Sequence, residues 1–367
     1  MTHGLLSRHR TGAAILGAAA LVAASAAISA GTASAATTAD NSGSHAFTNR
    51  GHGYMPELAD WKSAQKGARH ASGTLTYGGG TAGVGVMSVQ PKVYLVFYGN
   101  QWGTQGTDAN GNLTFSNDPY NAAPVAQNLF KGIGTGGEQW SGTLTQYCEG
   151  VAKGATTCPS TAAHVPYPSN GVYAGVWYDN SAASPAQTTG HQLGAEALAA
   201  AHHFGNTTSA ANRGAYYIIL SPHGTNPDNY QSTTTGFCAW HDYNGDTTLT
   251  GGAVTSDVGN FAFSNQPYNM DLGASCGVNF INSGTAGTLD GWTMTLGHEY
   301  SEMMTDQFPA GGWTNASNGQ ENADECAWLK TGTGAAGSVT MGNGTYTLQG
   351  SWSNDTNACA LTHPTVG

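Results

Sequence analysis

The stretch Leu289-Asp290-Gly291-Trp292-Thr293-Met294-Thr295-Leu296-Gly297-His298-Glu299-Tyr300-Ser301-Glu302-Met303-Met304-Thr305-Asp306 carries more of this chain's chemistry than any other. Its pattern predicts a helix over 289–306. On a helix, His298, Glu302 and Asp306 recur at four-residue spacing along one face, and Glu299 sits about 100° round the axis, beside them. Trp292, Met294, Leu296 and Met303 supply apolar surface that would bury the helix in a core. Burying a histidine with three carboxylates costs a great deal of hydration free energy unless those groups bind something. The plain alternative is an acidic helix facing solvent.

Upstream of this helix, short apolar runs are separated by turn residues, as buried strands are. They predict strands at Val93–Tyr98, Val172–Tyr178, Ala215–Leu220 and Phe261–Phe263, with further strands at Phe237–Asp242 and Thr345–Leu348. Helical patterns lie at Ala122–Gly132 and Thr188–Phe204, the latter stopped by Gly205. Strands alternating with helices point to an α/β or α+β domain over 86–367, with a mixed sheet flanked by helices.

Charge is scarce, at 9% of 367 residues, and what there is is acidic: 11 Lys plus Arg against 22 Asp plus Glu. A net charge of −11 argues against a nucleic-acid partner. From Gly214 onward 13 carboxylates face one cation, Lys330. Seven of them lie between Asp290 and Glu325, around His298, with no Lys or Arg. Such a cluster calls for a bound cation.

The N-terminus passes from Arg8-His9-Arg10 into an apolar run over 12–28 and reaches Ala33-Ser34-Ala35, the layout of a secretory signal peptide over 1–35. The expected mature protein is therefore extracellular, with no membrane anchor, since the apolar run is shorter than the about 20 residues a span needs. All six cysteines follow it, and an even number in an exported chain reads as disulfides. Pairing in chain order (Cys148 with Cys158, Cys238 with Cys276, Cys326 with Cys359) needs the shortest loops, although sequence leaves 15 pairings open. Residues 36–85 are polar, include a helical pattern at Pro56–His70, and carry Arg50, Lys62, Lys66 and Arg69. They read as a propeptide or a flexible N-terminal arm.

His298-Glu299-Tyr300-Ser301-Glu302 resembles the HExxH signature of zinc metallopeptidases, with glutamate in place of the second histidine. The resemblance implies a zincin-like three-layer core, metal ligation by the residues four apart, and Glu299 as the base acting on water at the metal. In the gluzincin branch the third ligand is a downstream glutamate. Glu321-Asn322-Ala323-Asp324-Glu325 resembles that segment, which implies Glu321 as third ligand and Asp324 as an orienting partner of His298 or a substitute ligand. Zn²⁺ is the ion implied. The extra carboxylate shifts preference toward harder ions such as Mn²⁺ or Ca²⁺. The strand Val93–Gly99, the run Phe237-Cys238-Ala239-Trp240-His241, and the stretch from Gly297 to Cys326 resemble the secreted phosphate-induced, Exordium-type family and its bacterial relatives. Plant members of that family are associated with the cell wall, and the resemblance implies no catalytic mechanism.

Two more histidines are candidates. His223 and His241 follow or end predicted strands, and either would stabilise a developing oxyanion beside a metal. Asp242-Tyr243-Asn244-Gly245-Asp246 has oxygen ligands at alternating positions, without the glycine and glutamate of an EF-hand. The leading expectation is a secreted metallohydrolase, a metalloendopeptidase acting on a peptide or protein substrate. The first alternative is a non-catalytic protein binding wall polysaccharide through Trp240, Trp292, Trp313, Trp328 and Trp352. The second is a glycosidase using Glu299 with another carboxylate.

Overall fold

A computed structural model describes residues 53–67 and 73–366. The expected signal peptide and residues 36–52 lie outside the described residues. Six strands form the central sheet: β1 (Tyr54–Pro56), β2 (Lys92–Tyr98), β3 (Tyr173–Asp179), β4 (Ala215–Leu220), β5 (Phe237–Tyr243) and β6 (Ala262–Gln266). Their order is β1-β5-β6-β4-β2-β3. Strands β6, β4, β2 and β3 run parallel to one another, and β5 is inserted antiparallel between β6 and β1. The helices are α1 (Leu58–Gly67), α2 (Ala122–Gly132), α3 (Gly190–His203), α4 (Ser209–Asn212) and α5 (Asp290–Thr305).

From Val93 in β2 and throughout β4 the strands are apolar because both their faces are covered. Val93, Leu95 and Phe97, with Tyr216, Ile218 and Leu220, pack toward Leu129 and Phe130 of α2 and Trp292, Leu296 and Met303 of α5. Tyr94 and Val96, with Tyr217 and Ile219, pack toward Leu193, Ala197 and Ala200 of α3 on the opposite face. The result is a mixed sheet between two layers of helices. A third apolar cluster joins Met55 and Trp61 to Met294 of α5 and to Cys238, Cys276 and Trp328.

Three details differ from the expected elements. The strand expected at Thr345–Leu348 is half of a separate hairpin (Gly337–Met341 with Gly344–Leu348), whose Leu348 touches α5. The helix expected from Pro56 begins at Leu58, because Pro56 closes β1 at the sheet edge, where its missing N–H costs no ladder bond. The described part of the N-terminal segment thus pairs with the sheet, Tyr54 opposite Trp240 and Met55 opposite Ala239.

The three disulfides pair in chain order. Cys238–Cys276 ties β5 to the end of the 3-10 segment Asn269–Cys276. Cys326–Cys359 ties the end of the acidic segment to the terminal strand Ala358–Ala360. No helix among the described residues is long and apolar enough to cross a membrane.

Helix α5 is buried along its whole length, which explains its two glycines. A Cβ on Gly291 would lie 1.8 Å from the Cys276 carbonyl oxygen, and one on Gly297 would lie 2.8 Å from Leu348 Cδ2. Alanine is the better helix former by about 1 kcal/mol, yet Gly291→Ala is expected to destabilise the fold by about 1–3 kcal/mol. The clash is with backbone that a disulfide holds in place. A denaturation midpoint equal to or above that of the parent would contradict this close approach.

Candidate metal centre

Helix α5 is anchored at both ends by carboxylates. Asp290 accepts hydrogen bonds from the backbone N–H groups of Ile281 and Asn282 and from the Thr347 hydroxyl. Asp306, just past the last turn, accepts from the N–H groups of Ala310, Gly311 and Gly312. Between these anchors, His298, Glu299 and Glu302 are all buried. Strand β5 presents His241 to them, and the segment after the helix brings up Glu321 and Asp324. Both histidines and all four carboxylates are at least 95% buried.

The cluster has too few hydrogen bonds for its polarity. His241 Nδ1 lies 3.7 Å from Glu299 Oε2, 3.7 Å from Glu302 Oε2 and 3.8 Å from Glu321 Oε2. Each distance exceeds the hydrogen-bond range of about 2.7–3.2 Å. The other ring nitrogen, Nε2, is 3.0 Å from the Asp306 carbonyl oxygen and donates to it, which leaves Nδ1 facing three carboxylates. His298 Nε2 lies 2.9 Å from Glu302 Oε1 and 3.5 Å from Asp324 Oδ1, and it has hydrogen-bond geometry to neither. Both oxygens of Glu299 and of Glu321 are buried without a hydrogen-bond partner, as is Glu302 Oε2. Two links do form, from the Asp324 N–H to Glu302 Oε1 at 3.1 Å and from the Glu321 N–H to Asp324 Oδ2 at 3.3 Å.

Lone pairs facing one another repel unless a cation lies between them. Four ligands at about 2.1 Å around a tetrahedral ion stand about 3.4 Å apart, close to the separations found here. The ligand atoms of His241, Glu302 and Glu321 lie within 4.8 Å of one another, and so do those of His298, Glu299 and Glu302. Gly53, at the entry to β1, backs directly onto this group: a Cβ there would meet Glu321 Oε2 at 2.4 Å and Glu302 Oε2 at 3.5 Å. The chain needs glycine at this position to pass so close to two carboxylates.

Without a cation, protons must do the neutralising. Burial, and then the charges of Glu302 and Asp306, push Glu321 well above the usual carboxylate range. Burial raises Glu299 to about 7 against the pull of His241, and raises Asp324 and Asp306 to about 6. Glu302 goes the other way, to about 2, because His298 and His241 outweigh its burial. Burial alone would lower His241, yet Glu299 and Glu302 carry it to about 10, and His298 is raised likewise.

Of the residues singled out from sequence, the structure brings together His298, Glu299, Glu302, Glu321, Asp324 and His241. His241 lies within β5 rather than beyond it. His223 makes its contacts elsewhere: its Nδ1 is 2.5 Å from Asp271 Oδ1, and it lines a shallow depression of about 440 Å³ with Gln101, Ser116, Asn117 and Pro119. In the alternating stretch 242–246, Asn244 is committed to the backbone of Val254 and Phe261. Tyr216 escaped the sequence reading. It sits on β4 with a buried hydroxyl, and burial followed by the charge of Glu299 holds the phenol protonated. It stands in the uniform apolar run Ala215–Leu220, where nothing distinguishes it from a core aromatic.

Comparison with protein-family models, with curated proteins and with solved structures finds no match for this chain.

Proposed function

We propose that this chain is a secreted metal-dependent hydrolase of peptide bonds, with a zincin-like helix as its centre. The observation that carries the reading is the convergence of two buried histidines and four buried carboxylates, in which His241 Nδ1, both ring nitrogens of His298, both oxygens of Glu299 and Glu321, and Glu302 Oε2 have no hydrogen bond. His298, Glu302, Glu321 and His241 would hold a divalent cation, with Asp324 orienting His298. Three disulfides suit an extracellular setting.

A cation bound there would supply Lewis acidity toward the scissile carbonyl and make water a better nucleophile at neutral pH. Glu299 then accepts the proton of the attacking water and passes it to the departing amine nitrogen. Its two free oxygens and its freedom from structural hydrogen bonds fit it for that exchange. Tyr216 keeps its proton and is a donor for developing negative charge beside Glu299.

The alternatives draw less support. Trp240, Trp292, Trp313 and Trp328 are buried, and the last three donate their indole N–H to backbone carbonyls, so these four offer a sugar no stacking face, and of the five only Trp352 is half-buried. Glu299 and Glu302 stand three apart on one helix with ligand atoms within 4.8 Å, an unusual layout for the paired carboxyl groups of a glycosidase. Hydrolysis of casein by the purified protein, lost with a chelator and restored by adding back a divalent cation, is the expected result. Absence of chelator-sensitive hydrolysis of casein or of a peptide library would count against the reading.

A further inference from the structure

We infer that the centre is built for two divalent cations bridged by Glu302, an inference that rests on the metal-centre reading above. The donors fall into two sets, and the two oxygens of Glu302 divide between them. Glu302 Oε2 faces His241 Nδ1, which also faces Glu321 Oε2 at 3.8 Å. Glu302 Oε1 faces His298 Nε2 at 2.9 Å, and that nitrogen faces Asp324 Oδ1 at 3.5 Å. Each set therefore holds one imidazole nitrogen and one oxygen of the shared carboxylate; Glu321 completes the first, and the second has Glu299 within 4.8 Å of both His298 and Glu302, with Asp324 facing His298 at 3.5 Å. A carboxylate that gives one oxygen to each of two ions holds them at about the 3.5–4 Å of two-metal hydrolytic sites.

Charge leads to the same number. Glu299, Glu302, Glu321 and Asp324 bring four negative charges into a buried site whose ion pairs among the described residues are to histidine alone. Asp306, a fifth carboxylate close to Glu321, already has three backbone N–H donors of its own. One divalent ion leaves two charges uncompensated where desolvation makes them most costly. Two ions offset all four. Glu299 faces His241 Nδ1 at 3.7 Å and shares the neighbourhood of His298, so it stands beside both sets, free to act on a water between them.

The test loads the purified full-length secreted protein with Mn²⁺, removes the excess, and counts ions by elemental mass spectrometry alongside electron paramagnetic resonance. Two manganese ions per chain and the multiline spectrum of a coupled pair are expected. His241→Ala and His298→Ala should each bind one ion and show the six-line spectrum of an isolated one. One ion per chain with a six-line spectrum in the parent protein would overturn the bridged pair and leave the single-metal reading standing. No bound ion would overturn both. The spectrum of the parent protein decides even if a variant fails to fold.

Discussion

Replacing Glu299 by Gln is expected to lower peptide hydrolysis by about 10²–10⁴-fold, the usual contribution of a positioned proton acceptor, while the metal content stays at the parent level. Gln keeps the shape of the side chain and loses the ability to take up a proton. The metal ligands proposed are His298, His241, Glu302 and Glu321, with Asp324 beside His298, so the substitution spares them. It also removes one negative charge from a buried cluster whose carboxylates raise one another's proton affinity, so the thermal midpoint should hold or rise. Kinetics, elemental analysis and a melting curve on the same preparation separate these effects. Activity within a few-fold of the parent would remove Glu299 from the mechanism. A loss of metal in parallel with activity would make it a ligand instead.

Removing the metal should destabilise the protein, and the loss should grow as pH rises from about 5 to 9. In the metal-free chain Glu321, Glu299, Asp306 and Asp324 have folded-state proton affinities above their unfolded values. Above the unfolded range near pH 4, the folded state then holds more protons than the unfolded one, so stability falls as pH rises toward 6 or 7. His241 and His298 are raised as well. Their contribution is complete below about pH 6.5 and is lost as pH rises through their folded values, about 10 for His241. Glu302 alone is depressed, and its contribution fades only below about pH 4.5. Metal binding has the opposite slope because the ligands must be deprotonated to coordinate. At a thousand-fold excess over Kd a bound ion contributes about 4 kcal/mol, roughly 10 °C of Tm for a chain of this size. Melting curves with and without chelator at pH 5, 7 and 9 should therefore diverge steadily. A chelator effect that is absent, or largest at pH 5, would contradict the assignment of these carboxylates and histidines to a metal.

Much of this was legible in the sequence because local patterning and burial agreed. The runs Val93–Tyr98 and Ala215–Leu220 are apolar on both faces and could only be interior strands, and both lie in the sheet. The helix over 289–306 was visible in its apolar residues and in the four-residue spacing of His298 and Glu302, and it occupies Asp290–Thr305. The short cysteine loops were the ones formed. What the sequence hid is the part that depends on tertiary pairing. Nothing local in Tyr54-Met55-Pro56 marks a strand, since three residues with a proline gain their order from the Trp240 and Ala239 backbones opposite. His241 reads as a residue at a strand end. Its Nε2 bond to the Asp306 carbonyl, which turns Nδ1 toward the carboxylates, joins positions 65 residues apart. Gly53 is one glycine among 53, and only the fold shows that it leans on Glu321.

The most direct measurement is the metal content of the mature protein as secreted, purified without chelator and analysed by elemental mass spectrometry. The account predicts at least one tightly held divalent cation per chain, released together with peptidase activity by a chelator and regained with it. A fully folded protein that carries no stoichiometric metal, binds none on titration and keeps its properties in chelator would contradict it.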